Sequence, residues 1–135
     1  MLVKNEAAEK LWKCYDYMRS RTDFVPKIAL VLGSGLGDYA KNIQVEAEID
    51  YHEIEGFPVS TIAGHKGRFI FGYAGDEKKV PVVCMQGRVH YYEGYEMSDV
   101  VLPIRLMKLM GAQVLLLTNA AGGIRDGFAA GDLMM

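Results

Sequence analysis

A run of five apolar residues that ends in a cluster of glycines is the feature of this sequence that most constrains its fold. The run, Ile28–Leu32, is too short for a typical helix, and its continuous apolar character predicts a β-strand buried on both faces. Gly33, Gly35 and Gly37 follow at once, and glycine permits backbone angles that other residues avoid. The sequence therefore predicts a strand that leads into a tight loop whose main-chain N–H groups can approach a ligand.

This glycine loop has the composition of an anion-binding site, because Ser34 adds a hydroxyl group beside the main-chain donors. Two common phosphate-binding patterns do not fit it. The dinucleotide-binding pattern G-x-G-x-x-G would need a third glycine where Asp38 stands, and the Walker pattern G-x-x-x-x-G-K-[ST] does not occur in the chain. A tight strand-to-helix turn without any ligand explains the same glycines, so both interpretations stay open on this loop alone.

Composition limits the classes of protein to which the chain can belong. Half of its 135 residues are hydrophobic and 24% are charged, which excludes a disordered chain and predicts one domain with a buried core. The formal net charge of -2 and the scattered Lys and Arg residues exclude nucleic acid as a partner. With no secretory signal and no apolar run of about 18 residues, we expect a cytoplasmic protein without a membrane partner. Cys14 and Cys84 are expected to be reduced, buried thiols.

The order of the predicted elements indicates an α/β fold, with a mixed β-sheet and flanking helices. Alternation within residues 44–51 places the acidic side chains of that strand on a solvent-facing side. Gly75 favours a hairpin turn between two strands, and Ser98 is expected to cap the second long helix. The predicted helices span residues 4–19, 36–41 and 98–110, the predicted strands span residues 28–32, 44–51, 68–73, 80–86 and 114–117, and a long loop spans residues 53–65.

Polar, glycine-containing segments also follow two later strands, at residues 87–94 and 118–123. The planar guanidinium of Arg88 can bind two phosphate oxygens, His90 can donate a hydrogen bond, and the main-chain amide of Ala120 can act like those of the glycine loop. Each residue also has an ordinary structural explanation, as a surface ion pair, a packed histidine or a turn. Their coincidence in two short segments favours a phosphate site at the strand ends.

Four motifs together resemble the trimeric, inosine- and guanosine-cleaving purine nucleoside phosphorylases. They are L-G-S-G-L-G at residues 32–37, G-H-K-G at 64–67, G-R-V-H-Y-Y-E-G at 87–94 and T-N-A-A-G-G at 118–123. Their order and approximate spacing match that family from about residue 28 onward. The resemblance implies that residues 1–135 are the N-terminal part of a single α/β nucleoside phosphorylase domain. It also implies reversible phosphorolysis of purine ribonucleosides and deoxyribonucleosides to free base and pentose 1-phosphate, a pentosyl transfer.

The resemblance assigns roles to individual residues of this sequence. It implies a purine nucleoside and inorganic phosphate as partners, with phosphate as a co-substrate and no metal or organic cofactor. The phosphate ligands that it implies are Ser34, His65, Arg88, His90 and the main-chain amide of Ala120.

Other residues take the remaining roles that the resemblance implies. Tyr92 lies against the ribose, and Asn119 and Ala121 lie near the base. Glu93 orients His90 and fixes the tautomer of its ring, so these two residues are the expected catalytic pair.

The chain ends in an apolar run at residues 131–135, which reads like the start of another buried strand. We therefore expect an N-terminal portion of the phosphorylase, whose purine-binding residues lie outside it. By itself the chain is expected to be catalytically inactive or nearly so, and to expose strand edges that favour self-association, whereas the intact protein is expected to be a homo-oligomer, a trimer. Alternatives are a methylthioadenosine phosphorylase, a dinucleotide-binding module or a non-catalytic phosphate-binding or assembly fragment.

Overall fold

The computed structural model describes residues 5–61 and 66–135, which form a five-stranded β-sheet and two α-helices. Short 3₁₀ turns at Gly37–Asn42, Tyr51–Glu53 and Tyr91–Glu93 join these elements. In chain order the helices and strands are α1 (Glu6–Arg21), β1 (Ile28–Leu32), β2 (Gln44–Asp50), β3 (Arg68–Ala74), β4 (Val80–Gln86), α2 (Met97–Leu109) and β5 (Val114–Leu117). The predicted α/β class with a mixed sheet and flanking helices is confirmed.

The sheet has the strand order β2-β3-β4-β1-β5. The β1 strand lies between β4 and β5 and runs parallel to both, so that Ile28 pairs with Val82 on one side and with Val114 on the other. The β2, β3 and β4 strands are antiparallel neighbours. Because parallel strands end at the same edge of a sheet, the segments that follow β1, β4 and β5 lie together at that edge.

The two helices begin in different ways. At α1, the Asn5 side chain accepts a hydrogen bond of 3.2 Å from the main-chain N–H of Ala8, which is a conventional N-cap. The prediction that Ser98 caps α2 is wrong. The N–H groups of Asp99 and Val100 both donate to the main-chain oxygen of Glu96, so the helix has begun before Ser98, and no side chain caps it.

The main core lies between one face of the sheet and the two helices, and its residues on α1 and α2 include Cys14, Met18, Leu106 and Met107. A smaller cluster on the opposite face is covered by the segment around Ala40. Cys14 and Cys84 are both buried and unpaired, which confirms the prediction of reduced thiols. Burial raises the pKa of the Cys84 thiol to about 12 and also raises the pKa of the Cys14 thiol, so both remain protonated and unreactive near neutral pH. No described helix is long and apolar enough to cross a membrane.

The two edge strands of the sheet differ in chemistry. The β2 edge carries Glu46 and Glu48 toward solvent and has a register shift between Val45 and Ala47. The prediction of a solvated acidic face on β2 is confirmed. The β5 edge carries four apolar side chains that are 41–65% exposed. The expected open apolar edge is therefore present, and it lies on the side of the sheet next to β1.

Candidate active site

A pocket of about 320 Å³ opens at the carboxyl ends of β1 and β4. Its size is at the lower end of the range for small-molecule sites. Loop amides, hydroxyl groups and side chains of both charges line it, which suits a small polar ligand better than an apolar one. The lining residues are Leu32, Gly33, Ser34, Gly35, Gly37, Asp38, Lys66, Gln86, Gly87, Arg88 and His90.

The glycine loop keeps its shape for two separate reasons. A methyl group at Gly33 would lie 2.2 Å from the main-chain oxygen of Thr118, so only glycine allows the two segments to approach. Gly35 has a φ of 82°, a left-handed conformation that other residues rarely adopt. The predicted tight loop is therefore present, and it places Ser34 at the pocket.

Thr118, which follows β5, links the glycine loop to the segment after β5. Its Oγ1 accepts a hydrogen bond of 2.9 Å from the N–H of Gly33 and donates one of 2.7 Å to the main-chain oxygen of Val31. Its main-chain oxygen accepts a hydrogen bond of 3.2 Å from Nη1 of Arg88. One residue thus joins all three polar segments that the sequence placed at the strand ends.

Arg88 and His90 lie side by side on the pocket wall. The Nε atom of Arg88 donates to Nε2 of His90 at 3.3 Å. On the other side of the ring, Nδ1 of His90 lies 2.9 Å from Oε1 of Glu93. A carboxylate accepts only, so the ring proton lies on Nδ1 and Nε2 remains an acceptor on the side of Arg88. Glu93 was predicted to orient His90 and fix its tautomer, and its carboxylate contacts the His90 ring at Nδ1.

The Glu93 carboxylate is buried, with 3% of its side chain exposed, and is surrounded by donors. Oε1 also accepts from the N–H of His90 at 2.8 Å, and Oε2 accepts at 3.0 Å from both Oγ of Ser60 and the N–H of Thr61. Burial raises the pKa of the Glu93 carboxyl, but the hydrogen bonds from His90, Thr61 and Ser60 outweigh it and lower the pKa to about 2. Glu93 is therefore ionised at neutral pH.

The remaining predicted site residues lie around this pair or beyond it. The ring of Tyr92 stacks on that of His90, with centroids 4.7 Å apart, and is 76% exposed. Asn119, Ala120 and Ala121 follow Thr118 and are exposed beside the pocket rather than among its lining residues. His65 lies outside the described residues.

Sequence reasoning gave no role to several residues that the structure brings to the pocket. Asp38 and Lys66 add charges of opposite sign at its rim. Gln86 ends a strand that is otherwise apolar, and a buried amide at the end of such a run is the signal that could have identified it. In the described part of the chain, no group of three or more His, Cys, Asp and Glu residues could bind a metal ion.

Comparison with known proteins agrees with this geometry. Residues 27–135 match the model of the family described as the phosphorylase superfamily. The chain belongs to the phosphorylase superfamily. Among curated members it is 46% identical to the purine nucleoside phosphorylase of Anopheles gambiae over 119 residues, which cover 88% of this chain and 33% of the relative. It is 49% identical to purine nucleoside phosphorylase 1 of Bacillus subtilis over 110 residues, which cover 82% of this chain and 40% of the relative.

Solved structures of the superfamily share the fold. Isoform 2 of the Schistosoma mansoni purine nucleoside phosphorylase, in complex with cytosine and ribose-1-phosphate, superposes with a TM-score of 0.80 at 42% identity, covering 92% of this chain and 42% of that one. The S. mansoni enzyme in complex with inosine gives a TM-score of 0.78 at 40% identity, with the same coverage. The chain thus spans about two fifths of these phosphorylases. The predicted resemblance to purine nucleoside phosphorylases is confirmed in both sequence and fold.

Proposed function

We propose that this phosphorylase-superfamily chain carries the phosphate-binding and ribose-binding residues of a purine nucleoside phosphorylase. The reaction is the reversible phosphorolysis of purine ribonucleosides and deoxyribonucleosides to free base and pentose 1-phosphate. The observation that carries the proposal is that Ser34, Arg88 and His90 line one pocket at the carboxyl ends of two parallel strands. The S. mansoni relatives that bind ribose-1-phosphate and inosine support the same substrate class.

Phosphate is the nucleophile in this reaction. The guanidinium of Arg88 binds its oxygens through paired N–H donors, and Ser34 and the amide of Ala120 add neutral donors. When phosphate binds, Nε2 of His90 exchanges its 3.3 Å contact with Nε of Arg88 for a hydrogen bond that it accepts from a protonated phosphate oxygen, because Glu93 keeps the ring proton on Nδ1. His65 completes the proposed set of ligands. Together these groups orient one phosphate oxygen toward the anomeric carbon of the nucleoside.

The chemical step exchanges one bond for another at that carbon. The phosphate oxygen forms a bond to C1′ while the bond from C1′ to the purine nitrogen breaks, and its electron pair leaves with the purine, which takes up a proton. The sugar passes through an oxocarbenium-like state, so the bound anion also stabilises developing positive charge. Tyr92 contacts the ribose in this proposal, and Asn119 and Ala121 lie near the base. Inorganic phosphate is the co-substrate, and no metal or organic cofactor takes part.

The proposal divides the activity between this chain and the rest of a phosphorylase. Since the chain spans about two fifths of its relatives, we assign to it the phosphate and ribose side of the reaction. We expect the 135-residue chain alone to cleave purine nucleosides poorly or not at all. The intact enzyme is proposed to be a cytoplasmic homo-oligomer, a trimer.

Calorimetric titration of inorganic phosphate into the chain at low ionic strength tests the proposal. Arg88→Ala is expected to weaken binding at least ~10-fold, because a hydrogen-bonded charge is worth about 1.5–3 kcal/mol. Arg105→Ala is the matched control. Arg105 lies on the exposed side of α2, so this substitution removes the same charge at a position away from the pocket. Equal phosphate affinity in Arg88→Ala and the parent chain would contradict the proposal, as would the absence of any binding.

A further inference from the structure

Among the described residues, Gln86 is the polar residue that is buried, with 8% of its surface exposed. It ends β4, immediately before Gly87, and lines the pocket. Burying a side-chain amide is costly unless its donor and acceptor groups are both hydrogen-bonded. The partners of Gln86 therefore indicate what its position requires.

Both ends of the Gln86 amide have well-defined partners on different elements. Oε1 accepts a hydrogen bond of 2.8 Å from Nε of Arg68, its cross-strand neighbour on β3. Nε2 donates a hydrogen bond of 2.8 Å to the main-chain oxygen of Gly37, at the end of the glycine loop. A guanidinium can only donate and a carbonyl can only accept, so a single orientation of the amide satisfies both contacts.

Arg68 is itself held in place by an ion pair. Its Nη1 atom lies 2.6 Å from Oε2 of Glu48 on β2, and 28% of the Arg68 side chain is exposed. A continuous set of contacts thus runs from β2 through Arg68 and Gln86 to Gly37. It crosses three strands and ends at the pocket.

The glycine loop is fixed at both of its ends and open between them. At its start, the N–H of Gly33 donates to Thr118, and at its end the oxygen of Gly37 accepts from Gln86. At Gly35, between them, a methyl group would meet no atom within 4 Å. Besides the loop's own hydrogen bond from the N–H of Leu36 to the oxygen of Gly33, the contacts at its two ends hold its conformation.

We propose that Gln86 is a positioning residue of the phosphate pocket, holding the glycine loop at Gly37 while Arg68 holds Gln86. This inference rests on the proposed phosphate site for its effect on binding. A loop that is already ordered loses less conformational entropy when the anion arrives, so its main-chain donors and Ser34 bind phosphate more tightly. Gln86 acts through the loop and does not itself need to contact phosphate.

Two measurements on three variants test the inference. Gln86→Met keeps the side-chain length and removes both amide contacts, Arg68→Met removes only the outer contact, and the third variant combines them. The first measurement is hydrogen exchange at the main-chain amides of Leu36 and Tyr39, which are hydrogen-bonded within the loop and the turn after it. The second is phosphate affinity by calorimetry.

We expect exchange at Leu36 and Tyr39 to become ~10-fold faster in Gln86→Met, because one buried hydrogen bond is worth about 1 kcal/mol or somewhat more. Phosphate affinity is expected to fall by a similar factor. Arg68→Met should give a smaller change in the same direction, and the double variant should resemble Gln86→Met, because the two residues act in series. Lys78→Met, in the exposed turn between β3 and β4, removes one positive charge as a control and should leave both quantities within about twofold.

The outcomes separate this inference from the proposed function. Unchanged exchange at Leu36 and Tyr39 in Gln86→Met would overturn the positioning role, whatever the phosphate affinity. Additive effects of the two substitutions on exchange would also overturn it, because they would mean that Arg68 does not act through Gln86. Faster exchange in a chain that shows no phosphate binding would support the positioning of the loop and contradict the proposed phosphate site.

Discussion

At the scale of single residues, Glu93 shows how hydrogen bonds determine the charge state of a buried acid. Its carboxylate accepts from His90, Ser60 and Thr61, which keeps its pKa near 2 although burial acts in the opposite direction. The negative charge in turn holds the proton of His90 on Nδ1. The charge that the proposed mechanism requires at neutral pH is thus set mainly by neutral donors and one imidazole.

This lowered pKa predicts an acid-labile contribution to stability. Glu93 binds a proton more weakly in the folded chain than in the unfolded chain, where its pKa is near 4.5. Its contribution is therefore complete above about pH 4.5 and is lost as the pH falls toward 2. In thermal unfolding between pH 6 and pH 2.5, Glu93→Gln is expected to be less stable than the parent chain at pH 6, and the difference should shrink as the pH falls. A difference that stays constant with pH would contradict this account of the site.

At the scale of elements, the junction between β1 and the glycine loop depends on close packing against the segment after β5. A methyl group at Gly33 would lie 2.2 Å from the main-chain oxygen of Thr118, whereas one at Gly37 would meet nothing within 4 Å. We expect Gly33→Ala to destabilise the chain by about 1–3 kcal/mol through overpacking. Urea-induced unfolding measures this directly.

Gly37→Ala is the matched control for that substitution. It adds the same methyl group four positions later, in open space, so its effect is expected to lie within about 0.5 kcal/mol or to stabilise slightly. Equal destabilisation by the two substitutions would mean that glycine is needed at position 33 only for its backbone freedom, and not because Thr118 lies so close.

The elements were the part of the structure most accessible from the sequence. The apolar run Ile28–Leu32 and the glycines after it gave the correct strand and loop, because both signals are local. The meeting of the segments after β1, β4 and β5 also followed from a general property of parallel strands. The start of α2 was missed because main-chain hydrogen bonds to Glu96, rather than a side-chain cap, determine it.

The contacts that shape the pocket could not be predicted in the same way. Thr118 lies 85 positions from Gly33, and Gln86 lies 49 positions from Gly37. Each contact depends on strand order and register, which no local pattern specifies. The resemblance therefore predicted which residues would bind phosphate, but the sequence gave no indication of the residues that contact the two ends of the loop.

At the scale of the whole molecule, the two edges of the sheet predict different association behaviour. The β2 edge has outward-facing acids and a register shift, features that discourage pairing with another strand. The β5 edge has exposed apolar side chains, among them Leu117, which is 65% exposed. We expect the chain to associate with itself through β5 as its concentration rises.

Sedimentation velocity over a range of concentrations tests this expectation. Leu117→Lys is expected to shift the chain toward the monomer without lowering its melting temperature, because the side chain is exposed and a charge opposes strand pairing. Val45→Lys places the same charge on the β2 edge, where Val45 is 45% exposed, and should leave the association unchanged. The same shift in both variants would instead indicate a general effect of net charge.

The central position of β1 also has a consequence for the order of folding events. Its partners β4 and β5 follow it by more than fifty and more than eighty residues, as the pairs of Ile28 with Val82 and Val114 show. Pairings at such separations require large loops to close, and they form slowly compared with helices and hairpins. The β3–β4 hairpin and the helices can form early, while the pocket exists only after β1 has inserted between its neighbours. Phosphate binding during refolding would therefore mark the completion of the sheet.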